Sequence, residues 1–109
     1  MQLITSIVRP DKVEPIQEAL RRLRISGLTV TEVRGQGHQK GHTTMYRGQE
    51  YSVTLLPRVQ IDTVVPDYHV EDAVDAIIGA ARTGEVGDGR VFVTPVTVTF
   101  TIRTGERDD

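Results

Sequence analysis

Apolar and polar residues along the chain follow two periodicities, and their order predicts the secondary structure. Residues 3–8 predict a strand, and residues 28–34 alternate as a second one. Between these strands, the break at 9–11 predicts Asp11 as a helix N-cap, and Gly27 is the predicted end of the helix. Its apolar residues recur at helical spacing, at Val13, Ile16, Leu20 and Leu23.

The second half of the chain repeats this arrangement. Residues 51–65 predict a long strand, with Pro57 at a bend or an edge position. A helical face follows at Val70, Ala73, Val74, Ile77 and Ala81. Residues 91–93 and 96–102 then alternate as strands, and the polar tail over 104–109 is predicted to be mobile. The order βαββαβ predicts an α+β, ferredoxin-like sandwich formed by a single domain over residues 1–109.

Two segments between these elements carry candidate chemistry. Residues 36–54 lack an apolar pattern and are much longer than a hairpin loop of about 2–5 residues, which predicts a mobile, protruding docking loop. Residues 82–90 contain Gly84, Gly87 and Gly89, whose backbone N–H groups can form an anion-binding concavity beside the charge of Arg90. The alternative is an ordinary connector, because Gly and Asp dominate turns.

Taken together, these segments resemble the PII family of nitrogen-regulatory signal-transduction proteins. The resemblance rests on the Tyr-Arg-Gly-Gln-Glu-Tyr run over 46–51 and on Gly-Asp-Gly-Arg over 87–90. Matches at Gly37, 39–42, 55–58 and 103–106 extend it over essentially the whole chain. It implies a homotrimer that binds ATP or ADP between subunits, and 2-oxoglutarate together with Mg-ATP.

The same resemblance implies the ligand-binding residues. Arg103 would reach the phosphates from a neighbouring subunit, and Gln39 would help to hold Mg²⁺, which keeps phosphate and water ligands. Tyr51 matches a tyrosine that many bacterial relatives uridylylate or adenylylate. The 2-oxoglutarate set is Gln39, Lys40, Gly41, Arg58 and Gly87. The nucleotide set is Ile7, Thr29, Gly35, Gly37, His38, Gln39, Asp62, Val64, Gly87, Asp88, Gly89, Arg90, Thr101 and Arg103.

The chain departs from the family at several of these positions. Arg58 stands where Lys is usual, and Asp62 where Glu is common. His38 and Thr101 both stand where family members often carry Arg, so two charge-assisted contacts to phosphate are lost. We expect weakened binding of triphosphate relative to diphosphate or monophosphate. The alternative is that neighbouring groups compensate.

Composition limits the function. The chain has 109 residues, a net charge of -2, no Cys and 5% aromatic residues, which disfavours nucleic-acid binding and thiol chemistry. We expect a cytoplasmic regulator without membrane insertion, not an enzyme, although slow ATP hydrolysis is an alternative. Expected targets are an ammonium channel, a nucleotidylyltransferase or a metabolic enzyme. The alternative function is an ADP- or AMP-preferring sensor for bicarbonate or metal transport, insensitive to 2-oxoglutarate; a purely structural trimer would bind no nucleotide.

Overall fold

A four-stranded antiparallel sheet with two helices organises the domain. The computed structural model describes residues 1–36, 43–46, 49–52 and 55–108. The sheet contains β1 (Gln2–Val8) and β2 (Thr29–Gly35), and two short strands follow, β3 (Thr43–Tyr46) and β4 (Gln49–Ser52). The sheet continues with β5 (Leu56–Val65) and β6 (Gly89–Pro95), in the order β2-β5-β1-β6. The helices are α1 (Val13–Arg22) and α2 (Val70–Ala81). This arrangement confirms the predicted α+β, ferredoxin-like fold.

Period-2 alternation along the central strands explains the position of the core. In β1 and β5 every second residue is buried, and these residues pack against the apolar faces of the two helices. Ile4, Ile16, Leu20, Ile61 and Ile77 are the largest of the fully buried apolar side chains. In the described part of the chain, neither helix covers the opposite face of the sheet, which carries the alternate residues of each strand.

The first helix differs at both ends from the sequence prediction. Asp11 is not the N-cap, because a 3-10 turn over Pro10–Lys12 precedes α1 and places Lys12 at the cap. Gly27 does not end the helix. Arg24, at φ 64°, turns the chain instead, and Ile25 N–H donates to the Leu20 carbonyl at 2.9 Å. This is a Schellman ending, favoured because Ile25 is buried against the core.

The predicted strand over 51–65 is divided in the structure. Gln49–Ser52 pair with Thr43–Tyr46, whereas the long strand begins at Leu56. Pro57 lies on an inner strand and not on an edge strand. It is tolerated because the pairing of β1 with β5 stops at Val59, so that Pro57 has only β2 beside it.

The C-terminal segment is less regular than its alternation predicts. Over residues 96–102 only Thr99–Phe100 form a strand, β7, which pairs with β8 (Arg107–Asp108). The tail predicted to be mobile therefore contributes a strand to a hairpin. Phe100 and Ile102 are 62% and 99% exposed, because no described residue covers them. In the described part of the chain, neither helix is both long and apolar enough to span a membrane.

Candidate functional site

One cleft is surrounded by strand ends and by the segment over residues 82–90, called the glycine-rich connector below. The carboxyl ends of β1 and β2 and the amino ends of β5 and β6 meet at the same edge, because neighbouring strands are antiparallel. The cleft has a volume of about 470 Å³. It is lined by Ile7, Gly35, Gln36, Leu56, Arg58, Val86, Gly87, Gly89, Arg90 and Phe92. Six of these are residues predicted from the sequence: Ile7, Gly35, Arg58, Gly87, Gly89 and Arg90.

Three lining residues, Gln36, Leu56 and Phe92, were missed by the sequence analysis, and Val86 was predicted only as part of the 82–90 segment. Gln36 and Leu56 adjoin predicted residues at the strand ends, whereas Val86 precedes Gly87 in the connector. Phe92 was interpreted as a core residue, but it is 48% exposed on the uncovered face of the sheet. The alternation of side chains along a strand could have predicted this position, because Phe92 lies two residues from Arg90 and therefore on the same face.

Glycine at position 89 is required by a close backbone approach. Gly89 pairs with Val8 at the start of β6 and has φ +110°. A Cβ at this position would lie 1.8 Å from the Ile7 carbonyl oxygen. The connector therefore rests directly on the end of β1, and no other residue type fits there. Gly87 also has a positive φ, of 101°.

The Asp88 carboxylate lies inside the connector and stabilises its turn. It accepts hydrogen bonds from the Thr83 hydroxyl, from Thr83 N–H at 2.8 Å and from Gly84 N–H at 2.9 Å. The Arg9 guanidinium is 3.4 Å away. These donors, the Thr83 hydroxyl first, hold the pKa of Asp88 well below its usual range. The side chain thus shapes the loop, and the contact of Asp88 with nucleotide stays a prediction.

Two arginines donate hydrogen bonds to backbone carbonyls of the connector. Arg9 Nη2 donates to the Val86 carbonyl at 3.1 Å, and Arg58 Nη2 donates to the Gly87 carbonyl at 3.5 Å. In a trans peptide the next N–H points opposite to the carbonyl, so the N–H groups of Gly87 and Asp88 point away from these guanidinium groups. With Arg90, the described cleft combines fixed positive charge and glycine backbone, which suits an anion.

A polar row on β5 extends from the cleft across the uncovered sheet face. Arg58, Gln60 and Asp62 alternate with buried residues on this strand. Asp62 accepts from the Thr5 hydroxyl at 2.6 Å and from the Gln60 amide at 3.0 Å, and it is paired in register with Thr29. Thr5 and Gln60 were missed, although their spacing from Ile7 and Asp62 indicates the same face. Val64 continues the row and is 43% exposed.

Some predicted residues lie away from the cleft or outside the described residues. Thr101 is in the C-terminal hairpin, where its hydroxyl donates to the Asp108 carboxylate at 2.8 Å, and Arg103 is exposed nearby. Tyr51 is paired with Thr44, and its backbone alone is described. Gly37, His38, Gln39, Lys40 and Gly41 lie outside the described residues.

The described residues of the cleft suit a metal ion that arrives bound to a ligand better than a metal ion that protein side chains alone would hold. Over the described ranges, no group of three or more His, Asp or Glu residues could hold a metal ion. No carboxylate is among the described lining residues of the cleft. Mg²⁺ there would depend on phosphate oxygens, water and the predicted amide of Gln39, which is the usual preference of this ion.

A ferredoxin-like domain with a cationic, glycine-lined cleft and a separate hairpin formed by β3 and β4 has the features of a small regulatory domain. A family model described as "Nitrogen regulatory protein P-II" matches residues 1–106. The chain belongs to this family.

Curated relatives agree over the full length. "Nitrogen regulatory protein P-II 1" of Escherichia coli (strain K12) is 52% identical over 109 residues, which cover 100% of this chain and 97% of the relative. The protein of the same name in Salmonella typhimurium (strain LT2) has the same identity and coverage. "Nitrogen regulatory protein GlnK" of Escherichia coli (strain K12) is 49% identical over the same lengths.

Proposed function

We propose that this chain is a PII-type signal transducer that binds ATP or ADP and, with Mg-ATP, 2-oxoglutarate. The observation that carries the proposal is the cleft itself, in which Ile7, Gly35, Gly87, Gly89 and Arg90 surround one volume. Family membership supports the nitrogen-regulatory role, because the relatives named above are regulatory proteins.

The cleft is proposed to bind the phosphates, and the polar row on β5 to bind the base and ribose. Arg90 is exposed at the cleft and is free to turn its planar donors toward a phosphate. The Asp62 carboxylate is held by the Thr5 hydroxyl and the Gln60 amide, which fixes an acceptor on the uncovered face. Positive charge thus lies at the cleft and a carboxylate acceptor lies on the β5 row. This arrangement fits a ligand that has an anionic end and a polar ring.

The complete site is proposed to lie between subunits of a homotrimer. Among the described residues no helix covers the sheet face that carries Asp62 and Phe92, and Ile102 is 99% exposed. Burying such residues against a second copy would remove apolar surface from water, at roughly 25 cal/mol per Å². Thr101 and Arg103 would then reach the phosphates of a neighbouring subunit.

Ligand binding is proposed to control the 36–54 docking loop. Gly35 lines the cleft directly before this loop and Gln36 lines it at the first loop position, whereas Leu56 and Arg58 line it shortly after the loop ends. A ligand that contacts both ends would change which loop conformations are populated. Target proteins, such as an ammonium channel, a nucleotidylyltransferase or a metabolic enzyme, would recognise one of them. Modification of Tyr51 would add bulk and negative charge to the same loop.

Titration of ADP into the wild-type protein and into Arg90→Gln tests the proposal. We expect ADP to bind the wild type, and the variant to bind at least tenfold more weakly, because one charge-assisted contact is worth about 1.5–3 kcal/mol. Arg22→Gln, an exposed helix position, is the matched control and should bind like the wild type. Absence of ADP binding to the wild type would contradict the proposal.

One observation favours a second candidate, an adenine-nucleotide sensor that prefers ADP or AMP and ignores 2-oxoglutarate. Thr101 stands where relatives often carry Arg, and its hydroxyl holds the Asp108 carboxylate at 2.8 Å. A negative charge at this position would disfavour an additional phosphate. Binding of ADP without any binding of 2-oxoglutarate under Mg-ATP would support this candidate over the first.

A further inference from the structure

Arg9 directly follows β1 beside the glycine-rich connector, and its backbone conformation is restricted. It follows Val8, whose backbone pairs with Gly89 at the start of β6. Pro10 restricts the residue before it to extended conformations, and Arg9 has φ -65° and ψ 145°. Its carbonyl accepts from Lys12 N–H at 3.0 Å. The guanidinium is therefore presented to the connector by a fixed backbone.

The side chain makes two different contacts with the connector. Nε lies 3.4 Å from Asp88 Oδ1, and Nη2 donates to the Val86 carbonyl at 3.1 Å. The Arg9 and Asp88 side chains are each 22% exposed, so their attraction is screened less than that of a surface pair. Arg9 is absent from the described lining of the cleft, and its effect on a ligand would be indirect.

These contacts bear on anion binding in two ways. Asp88 lies between Gly87 and Gly89, so its negative charge would repel a phosphate at the connector unless it is compensated. The contact with the Val86 carbonyl also turns the N–H of Gly87 away from Arg9, and Gly87 itself lines the cleft. Arg9 thus supplies compensating charge and fixes the orientation of a peptide.

We propose that Arg9 is a positioning residue for phosphate binding, which acts through Asp88 and the Val86–Gly87 peptide without touching the ligand. This inference rests on the proposed nucleotide-binding function. It predicts that loss of Arg9 weakens ligands according to their phosphate charge, whereas a general loss of folding would weaken all of them equally.

Calorimetric titration of ADP and AMP into Arg9→Met tests this prediction. We expect ADP to bind roughly tenfold more weakly and AMP roughly threefold more weakly, so that the ratio of ADP to AMP affinity falls. Arg22→Met is the matched control, because it removes an arginine that contacts Glu18 on α1. An unchanged ratio in Arg9→Met, measured on protein with native thermal unfolding, would overturn the inference.

Two further variants separate the effect of the Arg9 charge from its effect on the orientation of the Val86–Gly87 peptide. Arg9→Lys keeps the charge and should recover part of the ADP affinity. Asp88→Asn keeps a carbonyl acceptor for the Thr83 and Gly84 N–H groups but removes the charge, so adding it to Arg9→Met should tighten ADP binding relative to Arg9→Met alone, even though the connector loses some stability. A double variant that binds ADP more weakly than Arg9→Met would contradict the charge argument. Failure of the wild type to bind ADP would instead refute the proposed function, so the two failures are distinguishable.

Discussion

The backbone of Gly89 lies against the carbonyl of Ile7, so closely that a Cβ at position 89 would be 1.8 Å from that oxygen. This contact joins the connector to the end of β1. It also places Arg90, the next residue, beside the cleft that Ile7 lines. The position of the candidate phosphate site thus depends on one residue without a side chain.

Gly89→Ala should therefore lose both stability and ligand binding. The new methyl group meets backbone and not a flexible side chain, so we expect the free energy of unfolding to fall by about 3 kcal/mol. Gly84→Ala is the matched control, because Gly84 also has a positive φ, +90°, but a Cβ added there would meet no atom within 4 Å. It should lose only about 1–2 kcal/mol. Equal losses in urea unfolding of the two variants would refute the close-contact account.

Stability should depend on pH through Asp88. The folded connector lowers the pKa of Asp88, chiefly through the Thr83 hydroxyl, relative to about 3.9 in the unfolded chain. The unfolded state then takes up the proton first, so the stabilisation is complete at neutral pH and is lost as the pH falls below roughly 4. Asp88→Asn should be less stable than wild type at pH 7.

Urea unfolding at pH 7 and pH 3 checks this dependence. The difference between wild type and Asp88→Asn should be smaller at pH 3. Thr83→Val removes the main hydrogen-bond donor to the carboxylate and should reduce the pH dependence of the otherwise native connector. If the free energies of unfolding of wild type and Asp88→Asn differ by the same amount at both pH values, the ionised Asp88 carboxylate does not stabilise the turn.

The left-handed residue at the end of α1 offers a stabilising substitution. Arg24 has φ 64°, which costs a residue with a side chain about 1–2 kcal/mol. Arg24→Gly should raise the thermal unfolding temperature, and the free energy of unfolding should rise by about 1 kcal/mol. Gln17→Gly, at an exposed position inside the same helix, should lower the free energy of unfolding by about 1 kcal/mol. A destabilised Arg24→Gly would show that the arginine side chain makes a compensating contribution.

Nucleotide preference should reflect position 101. Thr101 and Thr99 together hold the Asp108 carboxylate, at 2.8 Å and 3.1 Å. We expect ATP to bind no more tightly than ADP to the wild type at neutral pH. Thr101→Arg should raise the affinity for ATP more than that for ADP, since it adds a charge-assisted donor. Competitive titration measures the ratio, and much tighter binding of ATP to the wild type would contradict the expectation.

Sequence patterns predicted the parts of the fold that depend on local periodicity. The apolar face over 70–81 corresponds to α2, and the alternation of β1 and β5 corresponds to their buried and uncovered faces. Gly27 failed as the helix end because burial of Ile25 beside Leu20 determines where the chain turns. Residues 96–102 alternate like a strand, yet in the described part of the chain only Thr99–Phe100 are paired as a strand.

The candidate site was predicted where glycine and charge reveal it, and missed where the effect is indirect. The resemblance pointed to Gly87, Gly89 and Arg90, and the structure places all three at one cleft. Arg9 carries no motif, and its proximity to Asp88 arises only because β1 and β6 are neighbours. Contacts across such long sequence separations depend on strand order, which periodicity alone does not encode.

Calorimetric titration of 2-oxoglutarate, with and without saturating Mg-ATP, tests the central claim most directly. If the chain is a PII-type transducer, 2-oxoglutarate should bind only when Mg-ATP is present, and Arg58→Met should abolish that binding while ADP still binds. Reciprocity requires that 2-oxoglutarate also tighten the binding of Mg-ATP. Binding of nucleotide with no binding of 2-oxoglutarate under any of these conditions would contradict the claim.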